Sequence, residues 1–325
     1  MKIIKITKES NIPLIGHIAF GIVDRGTSLL QIRPTTVCNL SCTFCSTDAG
    51  PNSKSHKTAY IIDADYLIEQ TNKEIEKKEK VHINIDSVGE PSSYPQLVYL
   101  ISQLKKNKKV YFISMQSNGT FLTKKYIKDL EKVGLNRIHL SIHTTNSQQA
   151  KELMGTSTYN LKKIIETAEQ ISKSKIELLL APVWLPKINE TEIEKLIQLA
   201  KKLNCKIGIQ KYEKHKYGRK IKKVKEDTYF KFYKTLKEWE EKHQIKLVYN
   251  AKELEISPAT NQEKPIQIGE RINATILEEG WFKDQKITSH KGRTITINNC
   301  QAQPTDRKNI KITKNKHNIY LAETV

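Results

Sequence analysis

The chain has 325 residues, a formal net charge of +20 and 38% hydrophobic residues. This length suits two domains, or one large domain with an appendage, and the hydrophobic content excludes wholesale disorder. Five cysteines are too few for a disulfide framework, so a cluster of them indicates metal binding or catalysis. Residues 1–10 lack an apolar signal-peptide core, and the longest apolar run, residues 178–186, is far shorter than the roughly 20 residues of a membrane span. We expect a cytoplasmic protein that does not bind membranes.

Strand-like and helix-like segments alternate over most of the chain. Two strands, residues 19–24 and 27–33, flank a hairpin turn at Arg25-Gly26. Further strands are predicted at residues 82–86, 110–115, 137–142, 176–181 and 206–210. Helices are predicted at residues 62–78, 94–106, 123–134, 159–172, 190–203 and 226–242. Asp63 and Thr123 are expected N-caps, and Gly134 is an expected stop signal.

This repeated alternation predicts an α/β fold with a parallel sheet and helices outside it. About six units, rather than the eight of a complete barrel, predict a partial (β/α)6 TIM-type barrel, in which chemistry gathers at the C-terminal ends of the strands. Short, polar-alternating strands near the C-terminus predict a small β-barrel after a linker. The expected divisions are an N-terminal strand and hairpin extension (1–27), the partial barrel (28–250), the linker (251–264) and the small barrel (265–325).

The positive charge is concentrated in one segment. Residues 201–225 contain ten lysines and one arginine against a single glutamate, Glu213, and so carry half of the formal net charge. Such a run is either a solvated lysine-rich face or a surface for a polyanion, most simply the phosphates of RNA or DNA. The candidate RNA contacts in this segment are Lys211, Lys214, Lys216, Arg219 and Lys220.

Three of the five cysteines, Cys38, Cys42 and Cys45, form the pattern C-x3-C-x2-C in the loop after the first barrel strand. Three thiolates at this spacing can hold a soft metal or an iron–sulfur cluster. A zinc ribbon does not fit, because no second C-x2-C or H-x3-H follows in the sequence and Cys205 and Cys300 are remote. Three protein ligands would leave one iron of a four-iron cluster open to an exogenous chelator.

Residues 38–45, CNLSCTFC, resemble the cluster motif of the radical S-adenosylmethionine (SAM) superfamily, including the aromatic residue before the last cysteine. The resemblance implies a [4Fe–4S] cluster held by Cys38, Cys42 and Cys45, with the open iron chelating the amino and carboxylate groups of SAM. In that family the reduced cluster donates an electron to the sulfonium, and the resulting 5′-deoxyadenosyl radical abstracts a substrate hydrogen. An electron donor such as ferredoxin or flavodoxin is therefore an expected partner.

Motifs at later strand ends support this resemblance. Residues 86–91, DSVGEP, are similar to the family's Gly-Gly-Glu-Pro loop, whose backbone carbonyls bind the methionyl ammonium, with Val88 in place of one glycine. Residues 116–120, QSNGT, resemble an Asn-Gly-Thr segment near the cofactor, and residues 140–143, LSIH, resemble Leu-Ser-Ile-Asp with His143 replacing the aspartate. The resemblance implies a SAM site containing Gly89, Glu90, Pro91, Ser117, Asn118, Ser141, His143 and Pro182. No catalytic residue is assigned.

The flanks of these motifs, such as residues 45–51 and 211–219, look like a poorly characterised group of archaeal radical SAM proteins. Residues 265–325 are similar to the TRAM-type, OB-like domain of RNA-modifying enzymes in segments such as Gly280-Trp281 and Lys291-Gly292-Arg293. Small barrels of this class bind nucleic acid with a basic face and exposed aromatic rings, which makes candidate RNA contacts of Trp281, Lys283 and Arg293. The alternative is a barrel that merely packs onto the catalytic domain.

The charge and the terminal barrel together predict a radical SAM enzyme that modifies a nucleoside in tRNA or rRNA, with methylation as one option. Whether it is a transferase or an oxidoreductase stays open. Methylthiolation and tricyclic-base synthesis imply further cluster cysteines that this sequence lacks, and methyl transfer through a carrier cysteine would need Cys205 or Cys300. One alternative is a radical SAM enzyme acting on a protein, peptide or small metabolite, with the barrel as an interaction module. The other is a non-catalytic RNA-binding protein with a structural metal.

Overall fold

The two strands predicted around Arg25-Gly26 form an antiparallel hairpin in the computed structural model, which describes residues 1–222, 224–259 and 263–325. Lys223 of the lysine-rich segment and residues 260–262 of the predicted linker lie outside the described residues. The chain divides into two units that are each assembled from separate segments. The first unit contains Met1–Val37, Lys54–Phe112 and Ile256–Val325, and the second contains Cys38–Ser53 and Ile113–Glu255.

Helices and strands follow one another along the chain in the predicted α/β order. The strands are β1 (Lys2–Ile6), β2 (Gly21–Asp24), β3 (Leu29–Arg33), β4 (Thr58–Ile62), β5 (Val81–Ile85), β6 (Val110–Ser117), β7 (Arg137–Leu140), β8 (Glu177–Leu180), β9 (Val183–Trp184), β10 (Lys206–Ile207), β11 (Gln210–Lys211), β12 (Arg271–Thr275), β13 (Glu278–Glu279), β14 (Lys286–His290), β15 (Arg293–Asn298), β16 (Arg307–Lys314) and β17 (Tyr320–Thr324). The helices are α1 (Ala64–Glu76), α2 (Leu97–Leu104), α3 (Lys124–Lys132), α4 (Ser147–Met154), α5 (Leu161–Ser172), α6 (Glu190–Lys202) and α7 (Tyr229–His243). Within the described ranges no helix combines the length and apolarity needed to cross a bilayer.

In the first unit, β3 pairs with β2 in antiparallel and with β5 in parallel. β1 and β4 form a separate parallel pair, with Lys2 opposite Thr58 and Ile6 opposite Ile62. This pair was not predicted, because no strand was expected directly before the first helix. The cap predicted for that helix is confirmed: the Asp63 carboxylate accepts the backbone N–H of Tyr66 at 3.1 Å, so α1 begins after Asp63.

In the second unit, β6, β7, β8 and β10 are successive parallel neighbours. With β3 and β5 of the first unit they account for the six parallel strands that the alternation predicts, and the α/β fold class is confirmed. The predicted cap at Thr123 begins α3. Asn160, which was not predicted as a cap, begins α5. α4 was not predicted, because its apolar positions are few; Asn146 caps its N-terminus and Gly155, at a φ of 66°, ends it.

The C-terminal domain is a curled six-stranded sheet in the order β12-β16-β17-β15-β14-β13, with β15 and β17 parallel and the other neighbours antiparallel. Ile272, Ile295, Ile310 and Tyr320 lie in its buried core. The predicted β-rich domain is therefore present, but as a half-barrel with β12 and β13 at its edges rather than as a closed barrel. The resemblance to a TRAM domain stays a prediction.

The half-barrel packs against β4 and the segment before it inside the first unit. The Trp281 ring lies 4.6 Å from the His56 ring between centroids, and Trp281 is almost fully buried. The Thr58 hydroxyl donates to the Gly280 carbonyl at 2.7 Å, and the Tyr60 hydroxyl donates to the Glu279 carbonyl at 2.9 Å. The prediction that Trp281 offers RNA an exposed ring is corrected here, because this ring is buried in a packing contact.

We expect replacement of Gly16 by alanine to destabilise the first unit strongly. Gly16 has a φ of 121°, and an added Cβ would lie 2.1 Å from the Thr294 carbonyl oxygen, so rigid backbone of the half-barrel would have to move. Gly26→Ala is the matched control, because Gly26 has a φ of 84° but nothing within 4 Å of the added Cβ.

Denaturant unfolding should show a loss of about 1 kcal/mol for Gly26→Ala, from backbone strain alone, and of about 3 kcal/mol or more for Gly16→Ala. Equal losses for the two variants would contradict the close approach of Gly16 to Thr294.

Candidate functional site

The cysteine loop (residues 38–53) is held by the C-terminal end of α4. The backbone N–H groups of Ser41 and Thr43 donate to the carbonyls of Met154 and Leu153 at 3.1 and 2.8 Å. These carbonyls belong to the last turn of the helix, where no intrahelical donor exists, so the loop satisfies them. The approach is close enough that a Cβ on Gly155 would lie 2.1 Å from the Ser41 carbonyl oxygen. A glycine is therefore required where α4 ends.

Arg219 binds the same loop from the lysine-rich segment. Its guanidinium donates to the Cys42 carbonyl at 2.8 Å and to the Ala49 carbonyl, and its Nε lies 2.7 Å from the Asp48 carboxylate. Its backbone N–H donates to the Cys45 carbonyl at 2.8 Å. The prediction that Arg219 contacts RNA is corrected, because its guanidinium is already engaged by three groups of the cysteine loop and is largely buried.

The three thiols of the motif lie close enough to influence one another. Burial and the neighbouring Cys45 and Cys38 thiols raise the pKa of the Cys42 thiol, while the Arg219 guanidinium lowers it. The Cys45 sulfur accepts the backbone N–H of Ala49 at 3.3 Å, and the Cys42 sulfur lies 3.7 Å from the Met154 sulfur. N–H donors and a cation near sulfur stabilise cluster thiolates.

The donor set fits an iron–sulfur cluster. Three soft sulfur ligands are carried on one short loop. Among the described residues, no three His, Cys, Asp or Glu side chains are arranged so that they could bind one metal ion. Cys205 directly precedes β10, whereas the strand-end motifs follow their strands. Burial raises the pKa of the Cys205 thiol to about 12. Cys300 belongs to the half-barrel core.

The loop after β6 is joined to the cysteine loop by hydrogen bonds between amide side chains. Asn118 donates to the Asn39 side-chain oxygen at 3.1 Å, and Asn39 donates to the Thr120 hydroxyl at 3.0 Å. The structure thus brings predicted residue Asn118 to the motif. Asn39 was missed, since the motif pattern treats it as a variable position. Ser117 shapes this turn: its hydroxyl accepts the backbone N–H of Gly119 at 3.0 Å.

His143 follows the next strand end, two residues after Ser141, and contacts Val183, the residue after Pro182. His143 Nδ1 accepts the backbone N–H of Val183 at 2.9 Å, and its ring meets the Phe44 ring of the motif edge-on, with centroids 4.8 Å apart. A neutral His143 therefore carries its proton on Nε2. Burial lowers the pKa of His143 to about 4. The Ser141 backbone N–H donates to the Ser117 carbonyl at 2.9 Å, which links the two strand ends.

In the first unit, Gly89, Glu90 and Pro91 form a tight loop against Val37, the residue directly before Cys38 in sequence. The Glu90 backbone N–H donates to the Val37 carbonyl at 2.8 Å. A Cβ on Gly89 would lie 2.3 Å from the same carbonyl oxygen, so glycine is required there. The buried Glu90 carboxylate accepts the backbone N–H of Ser92 at 2.9 Å and caps the short turn that Pro91 begins. Glu90 thus shapes this loop, and its contact with SAM stays a prediction.

The remaining candidate RNA contacts differ in their surroundings. Lys214, Lys216 and Lys220 are exposed, and Lys283 is exposed on the half-barrel. The Lys211 ammonium is mostly shielded, 3.6 Å from the Glu213 carboxylate. The Arg293 guanidinium donates to the Gly292 carbonyl at 3.2 Å.

Comparison with known proteins identifies the family. The model of the radical SAM superfamily matches residues 32–200, which include the cysteine motif and the later strand-end motifs. The chain belongs to the radical SAM superfamily. This family uses a [4Fe–4S] cluster and SAM, so the predicted cofactors are confirmed.

The similar proteins differ in how much of their length this chain spans. It is 37% identical to an uncharacterised protein of Methanocaldococcus jannaschii, over 99% of this chain and 82% of that protein. It is 30% identical to a probable GTP 3′,8-cyclase of Sulfurisphaera tokodaii, over 53% of this chain and about half (51%) of that protein. The fold resembles that of SuiB of Streptococcus suis bound to SAM, with a TM-score of 0.53 and 18% identity over 75% of this chain and 52% of SuiB.

We expect Arg219→Gln to weaken retention of the cluster, because it removes the guanidinium that joins Cys42, Ala49 and Asp48 and leaves the Asp48 carboxylate buried without it. Loss of one partner from a buried pair costs about 3–5 kcal/mol. Anaerobically reconstituted Arg219→Gln should hold less than about half the iron of the unmodified protein and lose it about tenfold faster to a chelator. Lys220→Gln is the control, since that side chain is exposed. Iron retention equal in both variants would contradict the role of Arg219.

We expect buried His143 to make the second unit sensitive to acid. Its folded-state pKa of about 4 lies below the ordinary value of 6.5, so the unfolded chain binds more protons between these pH values. The free energy of unfolding should therefore fall as pH drops from about 6.5 to 4, by at most about 3 kcal/mol from this group.

Denaturant unfolding of the iron-free protein at pH 7 and 4.5 measures this fall, and His143→Gln should lessen it. Part of the fall should persist in this variant, because burial also lowers the pKa of His17, to about 3. An unchanged fall in His143→Gln would show that His143 does not titrate as expected.

Proposed function

We propose that this protein is a radical SAM enzyme that modifies a nucleoside in a structured RNA such as tRNA or rRNA. The observation that carries the proposal is the attachment of the lysine-rich segment to the cysteine loop. Arg219 bonds to the loop through its backbone and its guanidinium, and a Cβ on Gly218 would lie only 2.7 Å from the Ser46 carbonyl oxygen. A polyanion bound by this segment would lie beside the residues that hold the cluster.

Charge supports a polyanionic substrate at this place. Four exposed lysines lie within five residues of Arg219 in sequence, namely Lys214, Lys216, Lys220 and Lys222. Phosphate groups release counterions when they meet such lysines, so affinity arises without any base-specific contact. Lys211 is a further contact in our proposal despite its partial shielding. Lys283 and Arg293 are candidate contacts of the half-barrel, considered apart from the lysine-rich segment.

The chain's own residues have three tasks in this proposal. Cys38, Cys42 and Cys45 hold the cluster, and Arg219 and the end of α4 fix the loop that carries them. When bound, the cluster and SAM supply a 5′-deoxyadenosyl radical that can remove a hydrogen atom from the substrate. Residues of the strand ends bind and orient SAM.

We assign the SAM-binding roles by the family resemblance, separately for each unit. In the first unit, the loop of Gly89, Glu90 and Pro91 offers backbone carbonyls for the methionyl ammonium. In the second unit, the assigned residues are Ser117, Asn118, Ser141, His143 and Pro182. His143 differs from an aspartate at this position because, buried and neutral, it would donate from Nε2 rather than accept.

A second candidate is an enzyme that acts on a small metabolite, peptide or protein. Similarity to a relative named as a GTP 3′,8-cyclase favours a nucleotide, a small anion that exposed lysines would also bind. In this case the half-barrel would serve as an interaction module or as a packing partner of β4. The two candidates differ in the number of phosphates that contact the protein, and therefore in the salt dependence of binding.

Removal of four lysine charges tests the proposal. The variant carries Lys214→Gln, Lys216→Gln, Lys220→Gln and Lys222→Gln. Its control carries the same change at four exposed lysines of α3, namely Lys124, Lys125, Lys128 and Lys132. Binding to transcribed, unmodified tRNA is measured at several salt concentrations, with 5′-deoxyadenosine and nucleoside masses recorded after anaerobic reaction with SAM and a reductant.

The first variant should bind tRNA at least tenfold more weakly, and the slope of log affinity against log salt should fall by about 3, because each lost phosphate contact removes about 0.7–0.9 from it. The control should change far less. A new nucleoside mass that appears only with RNA, SAM and reductant would support RNA modification. Failure to bind RNA, or equal losses in variant and control, would overturn it. RNA-independent formation of 5′-deoxyadenosine with GTP or a peptide would favour the second candidate.

A further inference from the structure

We infer that the RNA bound beside the cysteine loop is unpaired, and that exposed aromatic rings of the lysine-rich segment and of the start of α7 stack on its bases. This inference rests on the proposed function and adds a mode of binding to it. The rings belong to Tyr217, Tyr229, Phe230 and Tyr233, which we call the aromatic platform. No family motif noted above includes Tyr229, Phe230 or Tyr233.

The aromatic platform is unusually exposed. The exposed fractions are 41% for Tyr217, 57% for Tyr229, 80% for Phe230 and 46% for Tyr233. Single exposed apolar residues are common on protein surfaces, but contiguous aromatic patches mark interaction sites. Tyr229 and Tyr233 follow one another by one helical turn, and their rings lie nearly parallel with centroids 6.3 Å apart.

The rings of Tyr229 and Phe230 are not part of the buried face of α7, and the exposed Tyr233 ring borders it, edge-on to the Phe232 ring with centroids 5.3 Å apart. The buried face of the helix consists of Phe232, Leu236 and Trp239, and Trp184 packs against the two aromatic members of that face. Thr228 caps the helix by accepting the backbone N–H of Lys231 at 3.2 Å. Packing and capping thus leave the platform aromatics of α7 outside the core. Their exposure therefore requires another explanation.

The aromatic platform is joined to the lysine-rich segment. The Lys211 ammonium lies 4.7 Å from the Tyr229 ring centroid, and the Lys216 ammonium lies 5.0 Å from that of Tyr217. The Tyr229 hydroxyl donates to the Glu213 carboxylate, and the Lys214 backbone N–H donates to the Glu226 carboxylate. Lysine ammonium groups therefore lie beside two of the four platform rings.

A surface that carries both lysine ammonium groups and exposed aromatic rings suits a single strand of RNA. Its phosphates can meet the lysines while its unstacked bases meet the rings, as in proteins that bind single strands. In an A-form duplex the base faces are covered by neighbouring base pairs, so exposed protein rings would find no partner. Chemistry on a nucleoside also requires access to a base or sugar that is free of the stack. The concentration of basic charge argues against a basic or apolar peptide as the occupant.

The test compares one RNA sequence as a labelled 12-nucleotide single strand and as the same strand in a duplex. The platform variant carries Phe230→Ala and Tyr233→Ala. The control is Tyr99→Ala, an aromatic residue of similar exposure, 42%, on α2. Fluorescence anisotropy gives affinities at several salt concentrations, and 2-aminopurine in the strand reports base stacking by quenching. Thermal melting shows that each variant is folded, and iron content shows that it contains the cluster.

The platform variant should bind the single strand about tenfold or more weakly, because stacking on aromatic rings contributes substantially per base. Its salt slope should not change, since no phosphate contact is lost, and 2-aminopurine quenching should disappear. Duplex binding and the Tyr99→Ala control should be unaffected. Unchanged single-strand affinity, or an equal loss on the duplex, would overturn the inference.

Other outcomes separate this inference from the proposed function. If the four-lysine variant loses affinity and salt slope as expected while the platform variant does not, only the stacking role fails. If neither single strand nor duplex binds, the proposed function fails as well. Equal binding of single-stranded DNA with the same loss in the platform variant would support stacking, since phosphates and base faces are common to both nucleic acids. Tighter binding of a polyglutamate peptide than of RNA would overturn both.

Discussion

Arg219 holds the cysteine loop in place through hydrogen bonds and an ion pair. The chemistry of the protein depends on this loop, because it carries the three cluster ligands. Residues 38–53, all of which the structure describes, contain no helix or strand, so the loop has little internal support. Its carbonyls meet the Arg219 guanidinium, while its amides meet the last carbonyls of α4. Acceptors of the loop are thus satisfied by Arg219 and two of its donors by α4. Since three sulfur ligands must be held together against their mutual repulsion when ionised, this support from outside the motif is a condition for holding a cluster.

Much of this organisation could be predicted from short stretches of sequence. The spacing of Cys38, Cys42 and Cys45 indicates the cluster directly, because ligands on one short loop need no tertiary information. Asp63 and Thr123 were identified as N-caps for the same reason, since a cap depends only on residues of its own first turn. The parallel strands followed from the regular alternation of apolar strands and helices. A local motif predicted Asn118 near the cofactor; the structure shows its bond to Asn39 of the cysteine loop, and its contact with SAM stays a prediction.

Contacts between distant residues could not be predicted in this way. Arg219 looks like its lysine neighbours in a count of charges, and only the fold shows that it binds carbonyls 170 and 177 residues away. Trp281 is of a residue type that often binds nucleic acid, but its ring is buried because it packs against the distant residue His56. The pair of β1 and β4 joins segments more than 50 residues apart. Whether the C-terminal sheet closes depends on the pairing of its edge strands, which local patterns do not encode.

The position of Arg219 along the chain constrains when the protein can acquire its metal. A ribosome releases the three cysteines well before it releases Arg219, which follows Cys42 by 177 positions. Domains of nascent chains begin to fold as they emerge, yet the loop lacks this arginine until most of the second unit has been made. Iron and sulfide delivered to a shorter nascent chain would meet a loop that is not yet held. We therefore expect the cluster to be inserted after translation of the second unit. A chain that stalls earlier would be a poor acceptor for the cell's cluster-assembly machinery.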